Sequence, residues 1–213
     1  MVRYKAPPKE LDADGSYLHG GCNMTGDHGG PTWPNYYFYH NTAIRTDMSW
    51  RGYYGFGIGG RGTRYTQRRV FNNIFVQLSG MPGLNFGAAD HDVIVDGNLH
   101  WGLIDGRSFT GDYAKKFGRK MAFRRKPYPD AWSLKDIYAD PRFKLLNATS
   151  NEFDVRLTDA SPAIDAGVEL PESWFDPLRG SDNERPDLGA FPKSYEPLNV
   201  GRYGRIRVGS AER

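Results

Sequence analysis

The sequence predicts an all-β protein built from a short stack of parallel strands. Three observations point there. Twenty-six glycines and 14 prolines in 213 residues punctuate the chain beyond the roughly 12% of an average protein. Three apolar stretches each surround an asparagine: Asn41, Asn73 and Asn98. No amphipathic helical pattern runs through the segment that holds them, which argues against a βαβ design.

Along the chain, residues 1–34 come first. They are polar and Gly-rich, broken at Gly20-Gly21, Gly26 and Gly29-Gly30-Pro31, and read as an extended irregular segment. Residues 35–105 carry the repeats. Tyr36–Ile44, Arg69–Val76 and Asp92–His100 each read as short strand, polar corner, short strand. The asparagines are 32 and 25 residues apart, a spacing of stacked repeats. Further short strands, Tyr53–Ile58 and Leu84–Ala89, fall between the units. Strands stack at about 4.8 Å, so asparagines at equivalent corners sit above one another. Each amide then donates to the next carbonyl, which satisfies groups that are costly to bury. Two-residue hairpin turns are few. The best, Asp96-Gly97, coincides with a corner.

Residues 106–213 change character. Residues 106–131 form a basic loop, and 113–126 hold seven basic residues and no acidic one. That run suits an anionic polymer or, more plainly, a solvated insertion. Ser133-Leu134-Lys135-Asp136 fits a helix-start box with Ser133 as N-cap, predicting a two-turn helix near 133–138 that Asp140-Pro141 stops. The alternation Phe153-Asp154-Val155-Arg156-Leu157 reads as a strand.

The closing pattern is the most specific. Asp140-Pro141-Arg142-Phe143, Phe153–Leu157, Ser161–Gly167, Arg179-Gly180, Arg185-Pro186 and Asp187-Leu188-Gly189-Ala190-Phe191 follow in order. Together with the corners His40-Asn41-Thr42, Asn72-Asn73-Ile74 and Gly97-Asn98-Leu99, this resembles the C-terminal part of bacterial right-handed parallel β-helix proteins, the pectate-lyase-like superfamily. The resemblance covers residues 35–191. It implies an all-β right-handed parallel β-helix, a short stack of about three coils, with an irregular C-terminal capping segment. It also implies a secreted or cell-surface setting, although the N-terminus shows no signal peptide. Such proteins usually have more coils. The N-terminal coil is therefore expected to be covered by another protein chain or a homo-oligomer mate.

The chemistry is less specific. Trp50, Arg51, Tyr53 and Tyr54 precede Arg61, Arg64, Arg68 and Arg69, and Asp90, His91 and Asp92 come one coil later. If coils stack, these residues share one wall. Aromatic faces carry sugar rings and arginines clamp uronate carboxylates. Arg61, Arg64 and His91 are the expected catalytic residues of a β-eliminating polysaccharide lyase acting on uronic-acid polymers. Trp50, Arg51, Tyr53, Tyr54, Arg68 and Asp90 are the expected substrate contacts. The plainer reading is an outer face solvated by arginines paired with Asp90 and Asp92. The alternative function is a non-catalytic module that docks onto another chain and binds glycan.

Other signals carry less. Gly55–Gly60 matches G-x-G-x-x-G but lacks the following helix, so tight turns are expected instead of a dinucleotide site. Asp12-Ala13-Asp14-Gly15 opens like a Ca²⁺ loop, but Asn23 stands where its closing Glu belongs; no cofactor motif is complete. The five histidines have no zinc spacing. Ser161 lacks a nucleophile elbow. Asp165, Asp176, Asp182 and Asp187 are expected in salt bridges and turn hydrogen bonds with Arg179 and Arg185. A net charge of +3 is too small to imply a nucleic-acid partner. No run approaches the roughly 18 apolar residues of a membrane span.

Overall fold

The computed structural model describes residues 2–4, 22–23, 35–45, 56–57, 67–77, 84–85, 92–104, 107–108, 134–147, 150, 152–176, 178–180 and 185–193. These residues are strand-rich, with no helix among them. The strands are β1 (Val2–Tyr4), β2 (Cys22–Asn23), β3 (Tyr36–Tyr39), β4 (Thr42–Arg45), β5 (Phe56–Gly57), β6 (Gln67–Phe71) and β7 (Ile74–Gln77). Then come β8 (Leu84–Asn85), β9 (Asp92–Asp96), β10 (Leu99–Ile104), β11 (Arg107–Ser108), β12 (Ile137–Tyr138), β13 (Phe143–Asn147) and β14 (Glu152–Leu157).

Nine strands form three sheets that the chain visits in rotation: β1, β4 and β7 in one, β2, β5 and β8 in a second, β3, β6 and β9 in a third. Pairing within each is parallel and in register, as in Phe38↔Val70↔Val95 and Thr42↔Ile74↔Leu99. β10 and β12 continue the first sheet in parallel, while β11 turns back antiparallel on β10. β13 and β14 pair antiparallel.

The corners explain the register. His40 (φ 52°), Asn72 (φ 54°) and Gly97 (φ 64°) are left-handed, and each precedes one of the three asparagines. Gly and Asn adopt this conformation at least cost. Asn41 Nδ2 donates to Asn73 Oδ1 at 3.0 Å, and Asn73 Nδ2 donates to Asn98 Oδ1 at 2.9 Å. The ladder expected from the sequence is therefore present.

Its last rung is an aspartate. Asp136 Oδ1 accepts from the Asn98 backbone N–H at 2.8 Å and from its Nδ2 at 3.3 Å. This corrects the expected helix over 133–138: Leu134 and Lys135 form a turn, Asp136 is the corner, and Ile137–Tyr138 is a strand on β10. Asp136 also faces His100 Nε2 at 2.8 Å, so two demands tie it to the stack. A local capping preference loses to those contacts.

Alternate residues of β7 serve two cores. Phe75 faces the third sheet, stacked on Phe38 at 6.1 Å and on His100 at 5.5 Å, with Tyr138 beyond. Ile74 and Val76 face the other way. With Ile44 and Leu99 they pack against Val155, Leu157, Ala163 and Leu188. The closing segment thus lies along the side of β4, β7 and β10. A cap over the last strand alone would not reach Thr42, whose Oγ1 accepts from Ala190 N–H at 3.1 Å.

Asn72 anchors that segment. Its Nδ2 donates to the Val168 carbonyl and its Oδ1 accepts from the Val168 N–H, both at 2.8 Å. Its own carbonyl accepts from Gly189 N–H at 2.8 Å. Gly189 sits at φ 92°, and a Cβ there would stand 2.7 Å from Thr42 Oγ1. Such an approach requires glycine.

Candidate functional site

Most of the expected site lies outside the described residues: Trp50, Arg51, Tyr53, Tyr54, Arg61, Arg64, Asp90 and His91. Their place in the chain is still informative. Arg61 and Arg64 fall in the link from β5 to β6, and Asp90 and His91 in the link from β8 to β9. Both links begin and end on hydrogen-bonded neighbours. Gly57 pairs with Asn85 where they start, and Gln67 pairs with Asp92 where they finish.

Arg68 is described. It sits with Val70 on the buried face of β6 and is 2% exposed. The outward positions of that sheet form two rows, Tyr37–Arg69–Ile94 and Tyr39–Phe71–Asp96. In the first row Tyr37 is 39% and Ile94 43% exposed. Tyr37 Oη donates to Gln67 Oε1 at 2.9 Å.

The closing segment adds rings to this face. Trp174 stacks on Tyr39 at 5.7 Å, lies 6.0 Å from Phe71, and meets Tyr37 edge-on at 4.7 Å. The Tyr39 hydroxyl donates to the Phe175 carbonyl, which fixes the segment at the next residue. Burial, followed by the Asp176 carboxylate, raises the Tyr39 pKa, so the phenol remains a donor. Phe175 itself is 81% exposed. The result is an aromatic shelf that sequence reading did not single out. The signal was Trp174-Phe175-Asp176 inside the closing pattern, between Gly167 and Arg179.

Beside the shelf is a cleft of about 60 Å³, lined by His40, Glu169, Leu170, Asp176 and Arg179 among others. The His40 side chain is 5% exposed, and its Nε2 stands 3.5 Å from Asp176 Oδ2. That separation is long for a hydrogen bond. Neither His40 nitrogen makes a hydrogen bond of good geometry among the described residues, although the Asp176 carboxylate and the Asp187 backbone both lie near enough to favour the charged ring. Burial pushes the imidazole pKa down, and the Asp176 carboxylate only partly offsets it. The ring is therefore neutral near pH 7. Asp176 Oδ1 accepts from Leu178 N–H at 2.9 Å. Arg179 donates to the Leu170 and Pro171 carbonyls.

No family model, curated protein or solved structure matches the chain.

The remaining candidates are structural where described. Ser161 Oγ donates to the Pro141 carbonyl at 2.6 Å and accepts from Ala163 N–H at 3.2 Å. Asp187 accepts from the Asp165 and Lys193 N–H groups. Arg185 donates to the Gly167 carbonyl at 2.7 Å. Turn hydrogen bonds thus hold the closing segment, and both arginines donate to backbone carbonyls. Phe56 and Gly57, inside the Gly-rich run, lie in β5. Among the described residues, no group of three His, Cys, Asp or Glu side chains could hold a metal, and no helix is long and apolar enough to cross a membrane.

Proposed function

We propose that the three sheets wind into a right-handed parallel β-helix of about three coils, and that the protein acts on carbohydrate as the C-terminal portion of a uronan lyase. Right-handed crossovers between parallel strands are the rule in about 98% of cases, which supports the hand. One observation carries the functional reading. Gly57↔Asn85 and Gln67↔Asp92 pair in register, so the links bearing Arg61, Arg64, Asp90 and His91 are bracketed by adjacent strands. On this reading residues far apart in sequence share one wall.

In the proposed step Arg61 and Arg64 neutralise the uronate carboxylate, which acidifies the proton on C5. His91 takes that proton. The C5–H electron pair forms the C4–C5 double bond, the C4–O bond breaks, and the departing oxygen takes a proton. Trp50, Arg51, Tyr53, Tyr54 and Asp90 complete the substrate contacts in this reading; Arg68, expected among them, is 2% exposed on the inward face of β6 and is not one. The test is incubation with a panel of uronic-acid polymers while following absorbance of unsaturated ends. Activity that disappears in His91→Ala and Arg64→Ala supports the proposal, and a flat trace on every polymer, with and without Ca²⁺, overturns it.

A second reading is a glycan-binding module without chemistry that docks onto another chain through its N-terminal coil. The exposed rings of Tyr37 and Phe175 favour it. Solution size distinguishes the docking element: a well-behaved monomer across the micromolar range counts against it.

A further inference from the structure

The shelf and the cleft are contiguous in the chain at two points. Tyr39 is followed by His40, and Trp174-Phe175 by Asp176. Apolar ring faces and buried polar atoms therefore meet at one edge of the β3–β6 sheet. A buried imidazole with no hydrogen-bond partner is costly unless something pairs with it. His40 is only weakly satisfied, with its nearest acceptor, Asp176 Oδ2, at 3.5 Å, and it lines an open cleft.

We infer that His40, Asp176 and the Tyr37–Trp174–Phe175 shelf form a subsite for one neutral, hydroxyl-rich sugar residue. The inference rests on the carbohydrate reading for its class of ligand, and it concerns different residues from the proposed catalytic ones.

Three features select the ligand. At about 60 Å³ the cleft takes a hydroxyl or hydroxymethyl group but not a ring, so the ring must stay outside on the shelf. Sugar C–H faces pack on aromatic faces, and Phe175 offers a ring that is 81% exposed. The polar atoms at hand are mostly acceptors: Asp176 Oδ2, the Glu169 carboxylate and one nitrogen of the neutral imidazole, whose other nitrogen carries a donor N–H. Hydroxyls donate to these acceptors, whereas a uronate or phosphate would face two carboxylates. Arg179 also lines the cleft, but its single positive charge leaves the two carboxylates in excess, and its guanidinium is directed to two backbone carbonyls.

The test is calorimetric titration of the whole chain with cellotetraose, a neutral oligosaccharide, and with tetragalacturonate. Cellotetraose binding that weakens at least tenfold in both His40→Asn and Phe175→Ala supports the subsite. Asn tolerates the left-handed corner, and Phe175 is at the surface, so at least one variant keeps the fold. Three results overturn it: no cellotetraose binding at millimolar concentration, unchanged affinity in the folded variants, or binding of tetragalacturonate alone that both variants leave intact. The readout is binding, not turnover. Absence of elimination on uronans leaves the subsite standing, and absence of cellotetraose binding leaves the lyase reading standing.

Discussion

Replacing Asn73 tests whether the amide ladder holds the stack together. The side chain is fully buried. It donates to the Phe38 carbonyl at 2.9 Å, the Phe71 carbonyl at 2.8 Å and Asn98 Oδ1 at 2.9 Å. It accepts from the Asn41 N–H and Nδ2, both at 3.0 Å. Alanine removes all five contacts. Two amide hydrogens serve the three donor contacts, so the loss counts as about four bonds at about 1 kcal/mol each, or about 3–4 kcal/mol with water reaching the half-buried Asn41. That is a large part of the roughly 5–15 kcal/mol that holds a domain folded. With a urea slope near 2 kcal/mol/M, the midpoint should fall by about 1.5–2 M. Asn73→Asp sharpens the test, because it places an anionic acceptor where Nδ2 meets three acceptor oxygens. At pH 7 it should destabilise more than alanine, and it should partly recover when acid protonates the new carboxylate. The reasoning fails if Asn73→Ala moves the midpoint by less than about 0.5 M at unchanged slope, or if Asn73→Asp is the milder variant.

Three further outcomes follow from the same geometry. Asp136→Asn keeps one acceptor for Asn98 but sets an amide N–H against His100 Nε2, so the imidazole must carry its proton on Nδ1, which has no partner among the described residues. The expected loss is about 1–3 kcal/mol by urea unfolding, with a tautomer change visible in nitrogen NMR shifts. Gly189→Ala forces a Cβ to 2.7 Å from Thr42 Oγ1 at φ 92°, whereas Gly180→Ala at φ 84° meets nothing within 4 Å. Gly180→Ala should cost about 1–2 kcal/mol of backbone strain, and Gly189→Ala distinctly more in thermal unfolding. Finally, His40 has a lowered pKa in the fold, first because of burial and despite Asp176. Its neutral form is the one that folding favours, so this contribution is complete above about pH 6.5 and is lost as pH falls from there through the folded-state value. The urea midpoint should drop between pH 8 and pH 5, and His40→Asn should flatten that slope.

Asparagine's chemistry explains how much of the stack was legible in the sequence. An amide both donates and accepts, so a buried column of amides needs the same residue at every rung, and Asn41, Asn73 and Asn98 stand out beside apolar residues. The terminal rung needs only acceptors, because no further rung follows it among the described residues. Aspartate fills that role, and Asp136 therefore broke the pattern and read as part of a helix start. The signal that would have found it is Asp136-Ile137-Tyr138 beside Asn73-Ile74-Phe75, a polar corner followed by two apolar residues. The 38-residue step from Asn98, with its basic insertion, hid the match. The closing segment was legible as a motif but not as a place. Irregular backbone has no period, and its position depends on bonds such as Asn72 to Val168, 96 residues away. The shelf was invisible for the same reason: Trp174 joins Tyr37, Tyr39 and Phe71 only once that segment lies along the side of the stack.

This arrangement gives the closing segment two jobs that a terminal plug could not combine. One is to bury Ala163 and Leu188 against Ile44, Ile74 and Leu99, a hydrophobic attachment with little directional demand. The stretch between those two residues carries Trp174, Phe175 and Asp176 to the outer face of a different sheet. Asn72, at the corner where the third sheet hands the chain back to the first, lies between them and supplies the direction. Its amide reads the backbone at Val168 in both senses, and its carbonyl reads Gly189. Asn72→Ala removes the two side-chain bonds to Val168 but leaves the apolar attachment. The expected result is a chain that still folds, about 1–3 kcal/mol weaker by urea unfolding, in which Trp174 loses its fixed stacking against Tyr39. Near-ultraviolet circular dichroism reads that stacking directly. An unchanged aromatic signal in a destabilised Asn72→Ala chain would mean that ring packing alone positions the segment, and that the corner asparagine contributes stability without direction.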